Sequence, residues 1–130
     1  MPIILIKTDS HHKINRKRIK KTIEGYLSKK RANGKIEVSV NIVGDRMMKI
    51  LNTKYRTMEE TTPVLTFPQY SQNREKPFVS SPDDVLRLGD IVISYPQAIN
   101  IAQEENKLVD DVVDELIEHG MSQLFGNNHE

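Results

Sequence analysis

The 130-residue sequence contains no cysteine and no tryptophan, and aromatic residues make up only 5% of it. Without cysteine, neither a disulfide framework nor a thiolate zinc site can form, and the chain suits a reducing compartment. The longest apolar runs, Ile3–Ile6 and Ile91–Ile93, are far shorter than the ~20 residues that span a bilayer. We therefore expect a cytoplasmic protein with no membrane span and no signal peptide, stabilised by aliphatic packing.

Common catalytic signatures are absent as well. The sequence has neither a GxGxxG nor a GxxxxGK[ST] pattern, so nothing local supports nucleotide binding. It offers no cysteine nucleophile, and none of its serines lies in a nucleophile-elbow pattern. A nucleotide-binding enzyme and a serine or cysteine triad hydrolase are therefore unsupported.

Charge is divided unevenly along the chain, although the formal net charge is only +1. Residues 1–35 carry eleven basic and two acidic residues, a net +9, which leaves −8 for the remainder. A local basic excess of this size attracts RNA phosphates with a strength that falls as salt rises. Lys17, Lys20 and Lys21 are the candidate RNA contacts, and a merely solvated helix face is the alternative.

Hydrophobic periodicity predicts an α+β domain with a mixed four-stranded sheet and helices packed on it. Strands are expected at residues 2–7, 35–43, 63–67 and 88–94. Helices are expected from Asn15 to about Arg31, after Asp45 with Met47 and Ile50 on the apolar face, and as one long final helix beginning near Pro96. A long polar loop lies between residues 68 and 84, and no linker divides the chain, so residues 1–130 should form a single domain.

The last helix carries the candidate chemistry. Apolar residues at steps of three and four within 109–124 predict a buried stripe, with Asp110, Asp111, Asp114 and Glu118 on the solvated side. His119 and Gln123 fall one turn apart at the margin of this stripe. A glycine then offers a helix stop, and the reversal could bring His129 to the same face. His119, Gln123 and His129 would then converge like the three protein ligands of an open metal site.

Three stretches of the sequence match a known pattern in order. Leu51-Asn52, Tyr55-Arg56 and the run TPVLTFP at 62–68 are similar to the pattern LNxxYR followed by TDVLSFP. Residues 88–94 read LGDIVIS, and 119–129 follow the spacing of HGxLHLxGYDH. Together, over residues 40–129, they resemble the YbeY endoribonuclease family of bacterial ribosomal-RNA maturation factors.

This resemblance implies a single-strand-specific endoribonuclease that acts at the 3′ end of the small-subunit ribosomal RNA and in ribosome quality control. It implies ribosomal RNA as a partner, a small-subunit ribosomal protein as a further one, and one zinc ion at His119, Gln123 and His129. Arg56 is the candidate catalytic residue and a further RNA contact, because a guanidinium stays charged and matches phosphate geometry. A structural salt bridge is the alternative for Arg56.

The chain departs from the family pattern at the metal motif itself. Gln123 stands where the family has its middle histidine, and Asn127 and Asn128 stand where it has Tyr and Asp. A glutamine oxygen is a poorer zinc ligand than an imidazole nitrogen, so zinc should bind weakly and catalysis should be impaired. A metal-free family member that binds ribosomal RNA or a ribosomal protein is therefore the alternative function. A protein interface formed by the last helix is a third hypothesis.

Four further polar residues have open interpretations. Asp90 either orients a site residue or has a structural role, and the structural role is favoured. Asn52 either touches RNA or is an ordinary polar residue on a helix surface. His11 and His12 lie in a loop without a spaced partner, so no role is assigned to them.

Overall fold

The structure, a computed structural model, describes residues 2–9, 12–32, 34–56, 62–69 and 85–126, except the side chains of Tyr55 and Arg56. The α+β class and the four-stranded mixed sheet are confirmed. Within these residues the elements are, in chain order, β1 (Ile3–Thr8), α1 (Arg16–Lys29), β2 (Lys35–Val43), α2 (Asp45–Arg56), β3 (Val64–Pro68), β4 (Val85–Ser94), α3 (Tyr95–Glu105) and α4 (Val109–Leu124). None of the helices described is both long and apolar enough to cross a bilayer.

The sheet has the strand order β1-β2-β4-β3. The β1/β2 and β2/β4 pairs are parallel, and β3 runs antiparallel to β4. Helix α1 provides the crossover that parallel neighbours β1 and β2 require. The main core lies on the face of the sheet that α1, α3 and α4 cover, and alternate β2 residues from Ile36 to Ile42 are buried in it, as their period predicts.

Helix α2 covers part of the other face and is rotated from the predicted orientation. Met47 and Ile50, expected on the apolar side, are 47% and 51% exposed, whereas Met48 and Asn52 are wholly buried. The Asn52 amide donates a hydrogen bond to the Thr62 hydroxyl at 3.2 Å, which explains how a polar group is tolerated there. The prediction that Met47 and Ile50 form the apolar face of α2 was therefore wrong. Both interpretations of Asn52, as an RNA contact and as a polar residue on the helix surface, were also wrong, because its side chain is buried.

The prediction of a single long final helix was also wrong, because α3 ends at Glu105 and a separate helix, α4, begins at Val109. Asn106 adopts a left-handed conformation (φ 57°, ψ 48°), and its backbone N–H donates to the carbonyl of Ala102. Asparagine tolerates this conformation better than most residues, so it can end a helix as glycine does. Leu108 is extended, and α4 begins anew at Val109.

Helix α4 packs beside α1 through charged and aromatic contacts. The Arg18 guanidinium bonds Asp114 at 2.7 Å and also bonds Asp111. These two aspartates therefore face α1, whereas the sequence pattern predicted them to lie on the solvated side of the helix. Hydrogen bonds to Asp114 and Asp111 raise the pKa of Arg18. Further along, the Tyr26 ring meets the Phe125 ring edge-on at 5.6 Å. The two helices therefore run in the same direction, and the Asp114 flank of α4 faces α1.

Candidate functional site

Two glycines allow α4 and β3 to lie very close to β4. A Cβ atom on Gly120 would lie 2.9 Å from Cγ2 of Ile91, so only a residue without a side chain fits at this point of the helix. Gly89 has φ +145°, and a Cβ there would lie 2.4 Å from the Phe67 carbonyl oxygen and 3.0 Å from the Leu124 side chain. These glycines therefore hold the C-terminal half of α4 against the β3/β4 pair.

This close packing brings one turn of α4 onto Thr66 of β3. Thr66 pairs with Ile91 in the antiparallel register, and its hydroxyl donates to Oε1 of Gln123 at 2.9 Å. Nε2 of Gln123 lies 3.1 Å from Nε2 of His119, one helical turn before it. Thr66 and Gln123 are half-buried and His119 is exposed, so the three side chains form a hydrogen-bonded line from the sheet to the surface.

The line has defined donors and acceptors in this arrangement. The Thr66 hydroxyl occupies the oxygen end of the Gln123 amide, so the NH₂ end points to His119. The amide then donates to Nε2 of His119, which accepts in the tautomer that carries its proton on Nδ1. Thr66 is the site residue that sequence reasoning missed, although it lies inside the TPVLTFP stretch.

His119 and Gln123 are spaced like two ligands of one metal ion. Two ligand atoms about 2.1 Å from a tetrahedral ion are roughly 3.4 Å apart, close to the 3.1 Å between these side-chain ends. Gln123 would have to present its oxygen, because the amide nitrogen has no lone pair for a metal. Across the described ranges no three His, Cys, Asp or Glu side chains form a metal cluster. His129, the third expected ligand, lies outside the described residues together with Asn127 and Asn128.

Arg56 is the last residue of α2, and its side chain lies outside the described part of the chain. The position of its guanidinium relative to His119 and Gln123 is therefore still a prediction. Helix α2 packs on the sheet face opposite α4. Its buried Met48 side chain lies in one apolar cluster with Leu65 and Val92.

Lys17, Lys20 and Lys21 are exposed on α1 and line a shallow groove of about 500 Å³. The structure does not bring them together with His119 and Gln123. Asp114, which faces α1, precedes Gln123 by nine residues, or two and a half turns at about 100° per residue, so the two side chains leave α4 on opposite flanks. The α1 lysines and the His119–Gln123 pair are therefore separated by the body of α4.

Two other polar residues have structural roles. Asp90 accepts hydrogen bonds from the Ser39 hydroxyl and, at 2.9 Å, from the Gln69 amide. Its neighbour Ile91 faces α4, so Asp90 points to the opposite face of the sheet, and the favoured structural role agrees with this placement. The centroid of the His12 ring lies 4.9 Å from the centroid of the Tyr95 ring. His11 lies outside the described residues.

Comparison with known proteins gives a consistent result. Residues 5–130 match the family model described as endoribonuclease YbeY. A protein named endoribonuclease YbeY from Dehalococcoides mccartyi strain CBDB1 is 31% identical over 131 residues, covering 97% of this chain and 79% of that protein. One of the same name from Moorella thermoacetica is 34% identical over 97 residues, covering 75% and 62% of the two chains.

A similar fold occurs in the solution structure of TM1509 from Thermotoga maritima. The TM-score is 0.62 with 24% identity, and the match covers 98% of this chain and 75% of that one. At this identity the likeness bears on the fold alone, and it agrees with a mixed sheet covered by helices.

Proposed function

Because this chain belongs to the YbeY endoribonuclease family, we propose that it cuts single-stranded RNA in the maturation of ribosomal RNA, at the 3′ end of the small-subunit RNA. The observation that carries the proposal is the 3.1 Å approach of Gln123 to His119 on the flank of α4 that faces β3. These side chains occupy two positions of the family's metal motif and lie side by side, one helical turn apart. We include a cytoplasmic location and a part in ribosome quality control in the same proposal.

His119, Gln123 and His129 are proposed to hold one Zn²⁺ ion. When bound, such an ion supplies a nucleophile at neutral pH and offsets charge on the phosphate oxygens. The protein's own contribution is positioning: α4 sets His119 and Gln123 one turn apart, and Thr66 holds the amide. Because a carboxamide oxygen is a weaker ligand than an imidazole nitrogen, zinc should bind less tightly than in a three-histidine site.

Arg56 is proposed to contact the scissile phosphate, because its planar guanidinium can bond two phosphate oxygens and keeps its charge at any working pH. Lys17, Lys20 and Lys21 would contact a flanking part of the RNA, because α4 separates them from His119. Their contribution should fall steeply as salt concentration rises. A small-subunit ribosomal protein is a further proposed partner.

The test is cleavage of an end-labelled single-stranded RNA that contains the 3′ region of the small-subunit RNA. With Zn²⁺ present, the wild-type protein should cut this RNA, and chelator, His119→Ala and Arg56→Ala should each abolish cutting. Lys49→Ala is the matched control, because Lys49 is an exposed cation on the same helix as Arg56. Intact RNA at high protein concentration, or cutting that persists in chelator and in His119→Ala, would contradict the proposal.

One observation favours a second function, the binding of ribosomal RNA without cleavage. Gln123 stands where the family's metal motif has its middle histidine, and a carboxamide is a weaker zinc ligand than an imidazole. A protein of this kind would bind RNA through the basic face of α1. Zinc content after purification without a metal-affinity step separates the two functions, since stoichiometric zinc argues against the metal-free form.

A further inference from the structure

We propose that Thr66 is a positioning residue whose hydroxyl can hold either end of the Gln123 amide, and so allows Gln123 to turn its oxygen toward His119 and serve as a metal ligand. The inference rests on the metal-binding part of the proposed function. Gln123 is held at both ends of its amide, with Oε1 2.9 Å from the Thr66 hydroxyl and Nε2 3.1 Å from the imidazole of His119. If the amide turns so that its oxygen faces His119, its NH₂ group must therefore face the Thr66 hydroxyl.

The amide of Gln123 has two orientations of nearly the same shape. A half-turn about its last carbon–carbon bond exchanges the oxygen and the NH₂ group. With NH₂ toward His119, the amide hydrogen uses the lone pair of the imidazole Nε2. With the oxygen toward His119, the oxygen and Nε2 both direct lone pairs into the space between them, which is the requirement for holding one cation. Ligation by Gln123 therefore requires the second orientation.

Thr66 makes the second orientation possible because a hydroxyl can donate or accept. In the first orientation it donates to Oε1, and in the second it would accept from the NH₂ group. Without it, the inner end of a half-buried amide would lack a partner, which is costly for a polar group removed from water. Thr66 thus satisfies Gln123 in both states.

The backbone around Thr66 keeps its hydroxyl in place. Thr66 is paired with Ile91 inside the β3/β4 ladder, and a β-branched side chain has few χ1 choices. The contact between Ile91 and Gly120 holds α4 at a fixed distance from the same strand. The hydroxyl therefore stays within reach of Gln123 whichever end of the amide faces it.

The experiment measures Zn²⁺ affinity by competition with a chromophoric chelator for wild type, Thr66→Val, Thr66→Ser and Gln123→His. Thr66→Val keeps the shape and removes the hydroxyl. An N–H group tolerates the loss of its partner less well than a carbonyl oxygen, so the metal-binding orientation should lose more than the other, and zinc should bind about 10–100-fold more weakly, as for other lost partners of metal ligands. Thr66→Ser keeps the hydroxyl and should stay close to wild type, and Gln123→His should bind more tightly. Thr8→Val, the same substitution in β1 at the far edge of the sheet, is the matched control and should leave zinc affinity unchanged.

A second measurement does not depend on a variant. The side-chain NH₂ signals of Gln123 in ¹⁵N-labelled wild-type protein should shift on addition of Zn²⁺, because their partner changes from His119 to Thr66. Equal zinc affinity of wild type and a folded Thr66→Val variant would overturn the inference. Unchanged NH₂ signals at saturating zinc, or no zinc uptake by wild type, would also overturn it.

RNA cleavage assayed on the same samples separates this inference from the proposed function. If zinc affinity depends on Thr66 but no sample cuts RNA, the endoribonuclease proposal fails and the inference stands. If wild type cuts RNA while zinc affinity is indifferent to Thr66, the inference fails and the proposed function stands.

Discussion

Replacing Gly89 by alanine would place a methyl group 2.4 Å from the carbonyl oxygen of Phe67 and 2.9 Å from Cα of Pro68. Both atoms belong to the backbone of β3, so rotation of a side chain cannot relieve the contact. The φ of +145° is also one that residues with a Cβ rarely adopt. Backbone strain of about 1–3 kcal/mol and overpacking of about 1–3 kcal/mol together predict a loss of about 2–6 kcal/mol in the free energy of unfolding.

Urea unfolding followed by circular dichroism measures this loss, and Gly25→Ala is the matched control. Gly25 lies in the middle of α1, where an added Cβ would meet nothing within 4 Å. Alanine there should raise the free energy of unfolding by about 0.5–1 kcal/mol, because it restricts the unfolded chain and favours the helix. The same chemical change should therefore act in opposite directions at the two positions.

A loss of less than about 1 kcal/mol in Gly89→Ala would refute this reasoning. Such a result would mean that β3 can move away from β4 at little cost, so the antiparallel register that pairs Phe67 with Asp90 would not be firmly held. The position of Thr66, one residue earlier on β3, would then be equally soft. The stability of Gly89→Ala therefore also tests how firmly the site is supported.

Three further predictions concern other parts of the fold. Asn106→Ala should lower the free energy of unfolding by about 1 kcal/mol because of the left-handed backbone, whereas Asn106→Gly should be nearly neutral when both are measured by urea unfolding. Arg18→Gln should lower the melting temperature, because it leaves Asp111 and Asp114 without their cation. The difference from wild type should shrink at high salt, whereas a guanidinium that served only as packing would give a difference independent of salt. Burial first, and then the charge of Asp110, raise the pKa of Tyr95. The unfolded chain therefore loses the tyrosine proton first, and wild type should lose stability as pH rises above the ordinary tyrosine pKa of about 10. Absorbance at 295 nm follows the ionisation and unfolding at each pH follows the stability; Tyr95→Phe should lack the loss, and an identical alkaline profile in the variant would contradict the prediction.

The elements that could be predicted from sequence are those buried on one side by apolar residues. Strand β2 and helix α1 follow their periods, because each faces the core with aliphatic side chains. Helix α2 did not, because Asn52 is buried through a partner, Thr62, that no local pattern reveals. The break at Asn106 was missed because a single left-handed residue is enough to end a helix, and asparagine does not by itself require that conformation.

Part of the candidate site could also be predicted. His119 and Gln123 are one turn apart on the same helix, so their proximity follows from helical geometry alone. Thr66 lies 57 residues from Gln123 in sequence, and its contact depends on the β3/β4 register and on the close approach of α4 at Gly120. Contacts of this kind are set by tertiary packing, which sequence spacing does not encode.

The end of α4 just after Gln123 has an electrostatic consequence for the site. Its peptide dipoles sum to about half a positive charge at the N-terminus, where Asp110 and Asp111 lie in the first turn, and about half a negative charge at the C-terminus. The last turn contains Gln123 but no basic residue to offset that negative end. A cation there gains about 0.3–1 kcal/mol, and a phosphate group meets an unfavourable field of the same origin. This end of the helix should therefore favour a bound cation and disfavour a phosphate group that approaches without one.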